Sequence, residues 1–375
     1  GVPGRAVVVF GRRDRTELEG INPDSLPAQW GFTLVCTDAD AKVDLQSTAI
    51  GDVNGDGIDD MAIGSTTAAG GAGRIHIVLG SRESARANVD LDAMRPEDGF
   101  SFNGLAAGDE TGVVSRIGDV NGDGIDDFAV GASGSDVAGT NSGIVYVIYG
   151  RSTGDLADFS LSVLDPERGF VIMGAAANDR VGRYLSAAGD VNGDGVGDIL
   201  IGAPGGDGVN PDSGAAYVVY GRPGTPATAI NLDRLGAMDG FRIGGVLQFE
   251  FRGAGVAGAI DFNGDGRPDL ALGSMHGTRA AGSPMDVVVV FNRSLGTTGN
   301  DDALGTAGDD VVNLMAGDDR FDAGAGDDFV RGGPGNDVLI GGPGADLLLG
   351  EAGDDLFVIR AGDLLPGDVI IGGEG

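Results

Sequence analysis

The chain has 375 residues, including 72 glycines and a single cysteine, and its formal net charge at pH 7 is −33. So many glycines argue against long helices, because glycine serves positions of positive φ and close backbone approach. The negative charge argues against nucleic acid and anionic membrane surfaces as partners. With Cys36 alone no intrachain disulfide can form, and no apolar run is long enough to predict a membrane-spanning segment.

The first predicted strands lie in residues 6–12 and directly after the Gly31-Phe32 pair. Both features recur later in the chain, where two further strands precede them each time. We therefore expect the chain to begin inside a structural repeat, with more repeats upstream.

Four copies of one loop pattern, D-x-N-G-D-G-x-x-D, come next, and their first aspartates are 67, 71 and 71 residues apart. Two apolar strands follow each loop, and a Gly-Phe pair at Gly99, Gly169 and Gly240 opens a further strand. Together with the strand that leads into the loop, each unit thus has four strands. Radial repetition is what lets such a unit bury both faces, so the sequence predicts an all-β fold that begins with a partial β-propeller.

The loop pattern places oxygen-bearing side chains at positions 1, 3, 5 and 9, and glycines at positions 4 and 6 permit a tight turn. A flexible loop with several oxygens suits Ca²⁺ better than octahedral Mg²⁺. The loop is not an EF-hand, because position 12 is apolar where an EF-hand has Glu. Metal-free hairpin turns would explain the glycines, but they leave the aspartate at position 9 of all four copies unexplained.

These loops resemble the FG-GAP repeats of integrin α-subunit propellers and of bacterial secreted proteins, over about residues 6–293. The resemblance implies calcium ligands from the side chains at positions 1, 3, 5 and 9 and from the carbonyl at position 7. They are Asp52, Asn54, Asp56, Ile58 and Asp60; Asp119, Asn121, Asp123, Ile125 and Asp127; Asp190, Asn192, Asp194, Val196 and Asp198; and Asp261, Asn263, Asp265, Arg267 and Asp269. The Gly-Ala-Pro signature of the family survives only at residues 202–204.

From Gly296 to Val358 the chain divides into seven consecutive nonapeptides, with Gly at position 4, Asp at position 6 and an apolar residue at position 8. This is the RTX pattern, in which two nonapeptides close one coil of a parallel β-roll and Ca²⁺ binds in the turns. The predicted calcium-binding aspartates are Asp301, Asp310, Asp319, Asp328, Asp337, Asp346 and Asp355. Without calcium, the same segment is expected to be a flexible acidic linker. We expect blades in residues 1–293 and the roll in residues 294–375, with the roll cut short at its C-terminal end.

The sequence contains no zinc-protease HExxH and no G-x-S-x-G elbow, and its GxGxxG match at residues 253–258 runs into a loop of the repeat type instead of a helix. We therefore expect no catalytic and no cofactor-binding residues. The expected function is a secreted, calcium-binding adhesion or surface-interaction module with a protein or glycan ligand, exported by type I secretion. The alternatives are a calcium-dependent accessory region of a larger secreted enzyme and a structural surface-layer component.

Overall fold

The computed structural model is almost entirely built from strands. It describes residues 4–11, 22, 25–36, 46–83, 85–152, 160–207, 212–224, 229–236, 239–244, 251–262, 267–274, 287–290, 292–293, 299–305, 310–360, 362–365 and 367–374. The helical elements among them are single turns at Ala68–Gly71, Leu161–Val163 and Leu232–Arg234. No described helix has the length and apolar character needed to cross a bilayer.

The first strands form a half-blade and a complete blade. They are β1 (Gly4–Val9), β2 (Gly31–Cys36), β3 (Gln46–Gly51), β4 (Asp60–Ser65), β5 (Arg74–Val78), β6 (Val89–Asp90) and β7 (Gly99–Asn103). β1 and β2 pair antiparallel, and β3-β4-β5-β7 make blade one, an antiparallel sheet. β6 leaves blade one and pairs in parallel with β2, so it ties blade one to the half-blade.

Two further blades repeat this plan. Blade two contains β8 (Thr111–Gly118), β9 (Asp127–Ala132), β10 (Ile144–Ile148) and β11 (Gly169–Met173), and blade three contains β12 (Tyr184–Gly189), β13 (Asp198–Ala203), β14 (Ala215–Val219) and β16 (Gly240–Gly244). β15 (Ile230–Asn231) leaves blade three and pairs in parallel with β11. Blade four is described as three strands, β17 (Arg252–Ile260), β18 (Asp269–Ser274) and β19 (Val287–Val290).

The core lies between neighbouring blades. The middle strands β9, β10, β13 and β14 are buried at every residue, which matches their unbroken apolar sequences. One apolar cluster joins Ile75 and Ile77 of blade one to Phe128 and Val130 of blade two. Equivalent clusters join the later blades. This face-to-face packing confirms the all-β, propeller-type arrangement.

The C-terminal part is a parallel β-roll made of two sheets. One contains β20 (Asn292–Arg293), β22 (Val311–Asn313), β24 (Phe329–Pro334), β26 (Leu347–Ala352) and β28 (Val369–Glu374), and the other contains β21 (Asp302–Leu304), β23 (Arg320–Asp322), β25 (Val338–Ile340) and β27 (Leu356–Phe357). Phe321 pairs with Leu339, and Val330 with Leu348, a register of 18 residues or two nonapeptides. Position 8 of each block fills the interior, as predicted.

Candidate calcium sites

In the first three blade loops, the carboxylate at the first position closes the turn. In loop two, Asp119 Oδ1 accepts a hydrogen bond from Gly122 N at 2.7 Å, and Asp119 Oδ2 accepts one from Gly124 N at 2.8 Å. The position-five carboxylate closes the second half of the turn, because Asp123 Oδ1 accepts from Ile125 N at 2.9 Å. Both glycines have positive φ, 76° and 88°. The glycines of the pattern thus serve the turn that wraps around Asp119.

Loop three has the same geometry as loop two, and loop one shares the contact from the position-six glycine while Asp52 Oδ1 accepts from Asp56 N instead of the position-four glycine. Asp52 Oδ2 accepts from Gly57 N at 2.7 Å, and Asp190 Oδ2 accepts from Gly195 N at 2.9 Å. In all three loops the position-three asparagine donates its side-chain amide to the position-five carboxylate. The pairs are Asn54–Asp56 at 3.1 Å, Asn121–Asp123 at 3.1 Å and Asn192–Asp194 at 3.0 Å. The amide N–H groups of Ile58, Ile125 and Val196 each donate to that same carboxylate.

The aspartate at position nine is buried beneath the loop. Asp127 is fully buried, its Oδ2 accepts from Val120 N at 2.8 Å, and its Oδ1 accepts from Gly150 N at 2.8 Å. Asp60 and Asp198 make the equivalent pairs of bonds in loops one and three. This side chain therefore joins the loop to the start of the next connection in its own blade.

Burial makes the charged form of these position-nine aspartates costly. Loss of solvent raises the pKa of Asp127 to about 8, that of Asp198 to about 7 and that of Asp60 to about 6, although two backbone hydrogen bonds oppose the shift in each case. The carboxylates at positions one and five add to the increase. A bound cation would remove this penalty, so the donor set fits a hard ion such as Ca²⁺.

The side chains of each loop do not point toward a common centre in the described residues. Among the described residues, no group of three or more His, Cys, Asp or Glu side chains is placed to hold a metal ion. The carboxylates accept loop amides instead. In loop four, Asp269 Oδ2 accepts from Phe262 N at 2.8 Å, which reproduces the position-nine contact. Asp261 and Arg267 are also described, whereas Asn263 and Asp265 lie outside the described residues.

The seven roll aspartates form a ladder, defined here as the contacts between position-six aspartates two nonapeptides apart. The backbone N–H of each of the first five donates to Oδ1 of the aspartate 18 residues further on. The pairs are Asp301–Asp319 at 2.8 Å, Asp310–Asp328 at 2.8 Å, Asp319–Asp337 at 2.9 Å, Asp328–Asp346 at 3.0 Å and Asp337–Asp355 at 3.0 Å. The sequence repeat thus places all seven in two parallel rows.

The second carboxylate oxygen is what makes the ladder a candidate metal site. In the described part of the chain, Oδ2 of Asp319, Asp337 and Asp355 is buried and accepts no hydrogen bond. Buried polar atoms are normally satisfied, so a buried carboxylate oxygen without a donor points to a cation. Burial also raises the pKa of Asp337 to about 6. The residues therefore fit Ca²⁺, which would supply the missing positive charge.

The position-one glycines give the ladder its space. A Cβ on Gly332, Gly341 or Gly350 would lie 2.2, 2.3 or 2.1 Å from Oδ2 of the aspartate five residues later. That spacing leaves no room for a side chain, so glycine is needed next to the carboxylate.

Sequence reasoning missed one aspartate, Asp368, that extends the ladder beyond the regular nonapeptides. Asp346 N donates to Asp368 Oδ1 at 2.9 Å, which is a step of 22 residues instead of 18. Asp368 lies outside the seven regular nonapeptides. A signal was nevertheless present, because Gly367 and Asp368 directly precede the apolar run of β28, although the glycine is one residue closer to the aspartate than in the regular repeats.

Comparison with known families agrees with this geometry. The FG-GAP repeat family matches residues 45–78, 112–148, 183–219 and 252–284, and the RTX calcium-binding nonapeptide repeat family matches residues 295–330 and 331–363. The chain carries FG-GAP repeats followed by RTX repeats. Each FG-GAP match spans a loop with its flanking strands, and the RTX matches span the ladder.

Integrin α-subunits are among the proteins similar to this chain. Integrin alpha-PS2 of Drosophila melanogaster is 30% identical over 239 residues, covering 61% of this chain and 15% of the integrin. Integrin alpha-V of Gallus gallus is 29% identical over 233 residues, covering 61% of this chain and 20% of the integrin. Phosphatidylinositol-glycan-specific phospholipase D of Mus musculus is 36% identical over 99 residues, covering 25% of this chain and 11% of that protein. The matches thus span a fifth or less of these relatives.

Proposed function

We propose that this chain is a non-catalytic, calcium-binding extracellular repeat protein that acts as an adhesion or surface-interaction module. The observation that carries the calcium part is the ladder, whose buried Oδ2 atoms on Asp319, Asp337 and Asp355 accept no hydrogen bond in the described structure. The FG-GAP loops add further sites, formed by the residues at positions 1, 3, 5, 7 and 9. The proposed units are the blades in residues 1–293 and the roll in residues 294–375, with β20 at the boundary already paired with the roll strand β22.

Charge supports the proposal of several calcium ions. From Gly296 onward, 17 acidic residues face three arginines. All three arginines are already paired, Arg320 with Asp302, Arg331 with Glu351 and Arg360 with Asp322. The remaining carboxylates repel one another in a compact roll unless cations lie between them. A protein that folds in this way would suit a calcium-rich exterior, and that supports export in an unfolded state by type I secretion.

Calorimetric titration tests the calcium sites. Extracellular calcium modules bind with Kd of about 10⁻⁴–10⁻³ M. We expect Asp337→Asn to lower the number of ions bound, because it weakens a ligand that is buried in the ladder. Asp302→Asn is the matched control, since that roll aspartate is exposed. Equal stoichiometry in the two variants and the wild type would count against ladder binding, and no heat of binding in the wild type would overturn the proposal.

The adhesion role needs a ligand as well as calcium. The similarity to integrin α-subunits supports an extracellular protein or glycan as that ligand. Arrays of matrix proteins and glycans should be probed with the full chain, once in millimolar calcium and once in chelator. Binding that requires calcium supports the role, whereas no binding under either condition contradicts it.

A second candidate is an accessory region of a larger secreted enzyme. The local similarity to phosphatidylinositol-glycan-specific phospholipase D favours it, because that protein is named for a catalytic activity. The coding sequence around this chain distinguishes the two. A contiguous catalytic domain would favour the accessory role, and its absence would favour the adhesion module.

A further inference from the structure

Neighbouring blades touch through the carbonyl groups of the calcium loops. Three backbone N–H groups of blade three donate hydrogen bonds to three consecutive carbonyls of loop two. The pairs are Gly197 N to Asp119 O at 2.8 Å, Arg222 N to Val120 O at 2.7 Å and Gly224 N to Asn121 O at 3.0 Å. Blade two likewise donates to the carbonyls of Asp52 and Val53 in loop one, at 3.3 and 2.9 Å. Each loop is therefore backed by the blade that follows it.

Loop three is backed by the roll. The Asn192 carbonyl, which corresponds to that of Asn121, accepts from Asn313 Nδ2 at 3.1 Å and from Arg331 Nη1 at 3.1 Å. Both donors belong to the roll sheet that begins with β20. Blade four has Pro268 where blade three has Gly197, and proline has no N–H to donate to the Asp190 carbonyl as Gly197 does to that of Asp119. At the Asn192 carbonyl, side chains of the roll donate where the backbone amide of Gly224 donates to Asn121 in loop two.

The Gly-Phe strand at the outer edge of each blade is also covered by a neighbour, and in blade three that neighbour includes the roll. In blade two, Phe170 packs beside Tyr149 and is covered by Ile230 and Leu232, which follow β14 of blade three. In the half-blade, Phe32 is covered by Val89 and Leu91 of blade one. In each case an apolar segment of the next blade shields the Gly-Phe strand of the blade before it.

In blade three the shield comes from the roll. The Phe329 ring stacks on the Phe241 ring, with centroids 4.9 Å apart and an interplanar angle of 17°. Leu349 joins the same cluster, and the Arg331 guanidinium lies 5.9 Å from the Tyr220 ring centroid. Arg331 is also held by Glu351 of the next turn, with Nε 2.6 Å from Oε1. The contact therefore depends on stacked, folded turns of the roll.

We propose that the β-roll gives loop three and β16 the kind of support that loop two and β11 receive from the following blade, so that loop three and β16 are stable only while the roll is folded. Two independent contacts carry this inference, the hydrogen bonds to the Asn192 carbonyl and the aromatic stack on Phe241. The partner of this propeller surface is the roll of the same chain. This link rests on the proposed function: where roll folding requires calcium, occupancy of the roll and occupancy of loop three are coupled.

Hydrogen exchange with mass spectrometry on the full chain in saturating calcium tests the proposal. The double variant Asn313→Ala/Arg331→Ala removes both donors to loop three. We expect exchange at Asp190–Asp198 and Gly240–Gly244 to rise roughly tenfold, the loss expected for hydrogen bonds to a buried carbonyl. Loop two and β11 serve as internal references and keep their exchange. Arg320→Ala is the matched control, because that arginine lies on the other roll sheet and pairs with Asp302 at 3.8 Å.

A second variant covers the case in which the first also disturbs the roll. Leu339 is fully buried in the roll interior, so Leu339→Asp unfolds the roll. We expect β16 and loop three to open with the roll while loop two stays protected. If either variant leaves Asp190–Asp198 and Gly240–Gly244 at wild-type exchange, the roll does not support loop three and β16, and the proposal is wrong. This readout compares blades within one chain, so it is independent of any external ligand.

Discussion

Calcium binding to the blade loops should release protons at neutral pH. The metal-free pKa values of Asp127, Asp198 and Asp60 are about 8, 7 and 6, because burial disfavours the carboxylate. At pH 7 these groups are therefore about 0.9, 0.5 and 0.1 protonated. A calcium ion favours the ionised form and displaces these protons, so we expect about 1.5 protons to leave per chain. At pH 9 the same reasoning gives about 0.1.

Isothermal titration calorimetry in buffers with different ionisation enthalpies measures this release. The slope of observed enthalpy against buffer ionisation enthalpy gives the number of protons. Asp127→Asn removes the group that carries most of the release, and we expect the count at pH 7 to fall by about 0.9. A slope near zero in the wild type at pH 7 would refute the argument, because it would show that calcium does not ionise the position-nine aspartates.

Three further predictions concern stability. In chelator, unfolding free energy should fall as pH rises from about 4 to 8, because the folded state holds protons on the three position-nine aspartates that the unfolded chain has lost; a higher urea midpoint at pH 8 than at pH 5 would contradict this. Gly341→Ala puts Cβ 2.3 Å from Asp346 Oδ2 and should lower the free energy of unfolding in calcium, measured with urea, by about 1–3 kcal/mol. Gly372→Ala is the control, because its Cβ meets nothing within 4 Å, and it should change the same free energy by under about 0.5 kcal/mol. Asp368→Ala leaves the buried Asp346 amide without its acceptor and should lower the free energy of unfolding by about 1–3 kcal/mol. Thermal melts should show it to be less stable than Asp363→Ala, because the hydrogen bond from Arg360 N to the Asp363 carboxylate, at 3.3 Å, is exposed.

The sequence was sufficient for features that repeat locally. The D-x-N-G-D-G-x-x-D pattern predicts loops between strands, and the structure closes three of them in the same way around their first aspartate. The nonapeptide period predicts a register of 18 residues, and Phe321 pairs with Leu339 accordingly. Both predictions succeed because each repeat determines its own turn, and glycine spacing together with apolar alternation is enough to specify it.

Features that depend on distant contacts were not predictable in this way. Nothing in the spacing of Asn313 or Arg331 indicates that they reach the Asn192 carbonyl, 121 and 139 residues earlier. The second role of position nine was also hidden, because an aspartate that could bind calcium and an aspartate that accepts two strand amides look alike in a sequence. Only the burial of the aspartate side chain distinguishes these two roles, and that burial depends on how the next blade packs.

The two sets of candidate sites distribute their carboxylates differently. In a blade loop, Asp119 accepts amides only from its own turn among the contacts described, so a loop can close without waiting for the next loop. In the roll, Asp337 accepts the amide of Asp319 and donates its own to Asp355, so each carboxylate is shared between turns. On the proposed function, an ion bound at one rung would therefore order its neighbours as well. Calcium would then stabilise each blade loop locally and the roll collectively, and Arg331 is the residue through which a folded roll contacts loop three.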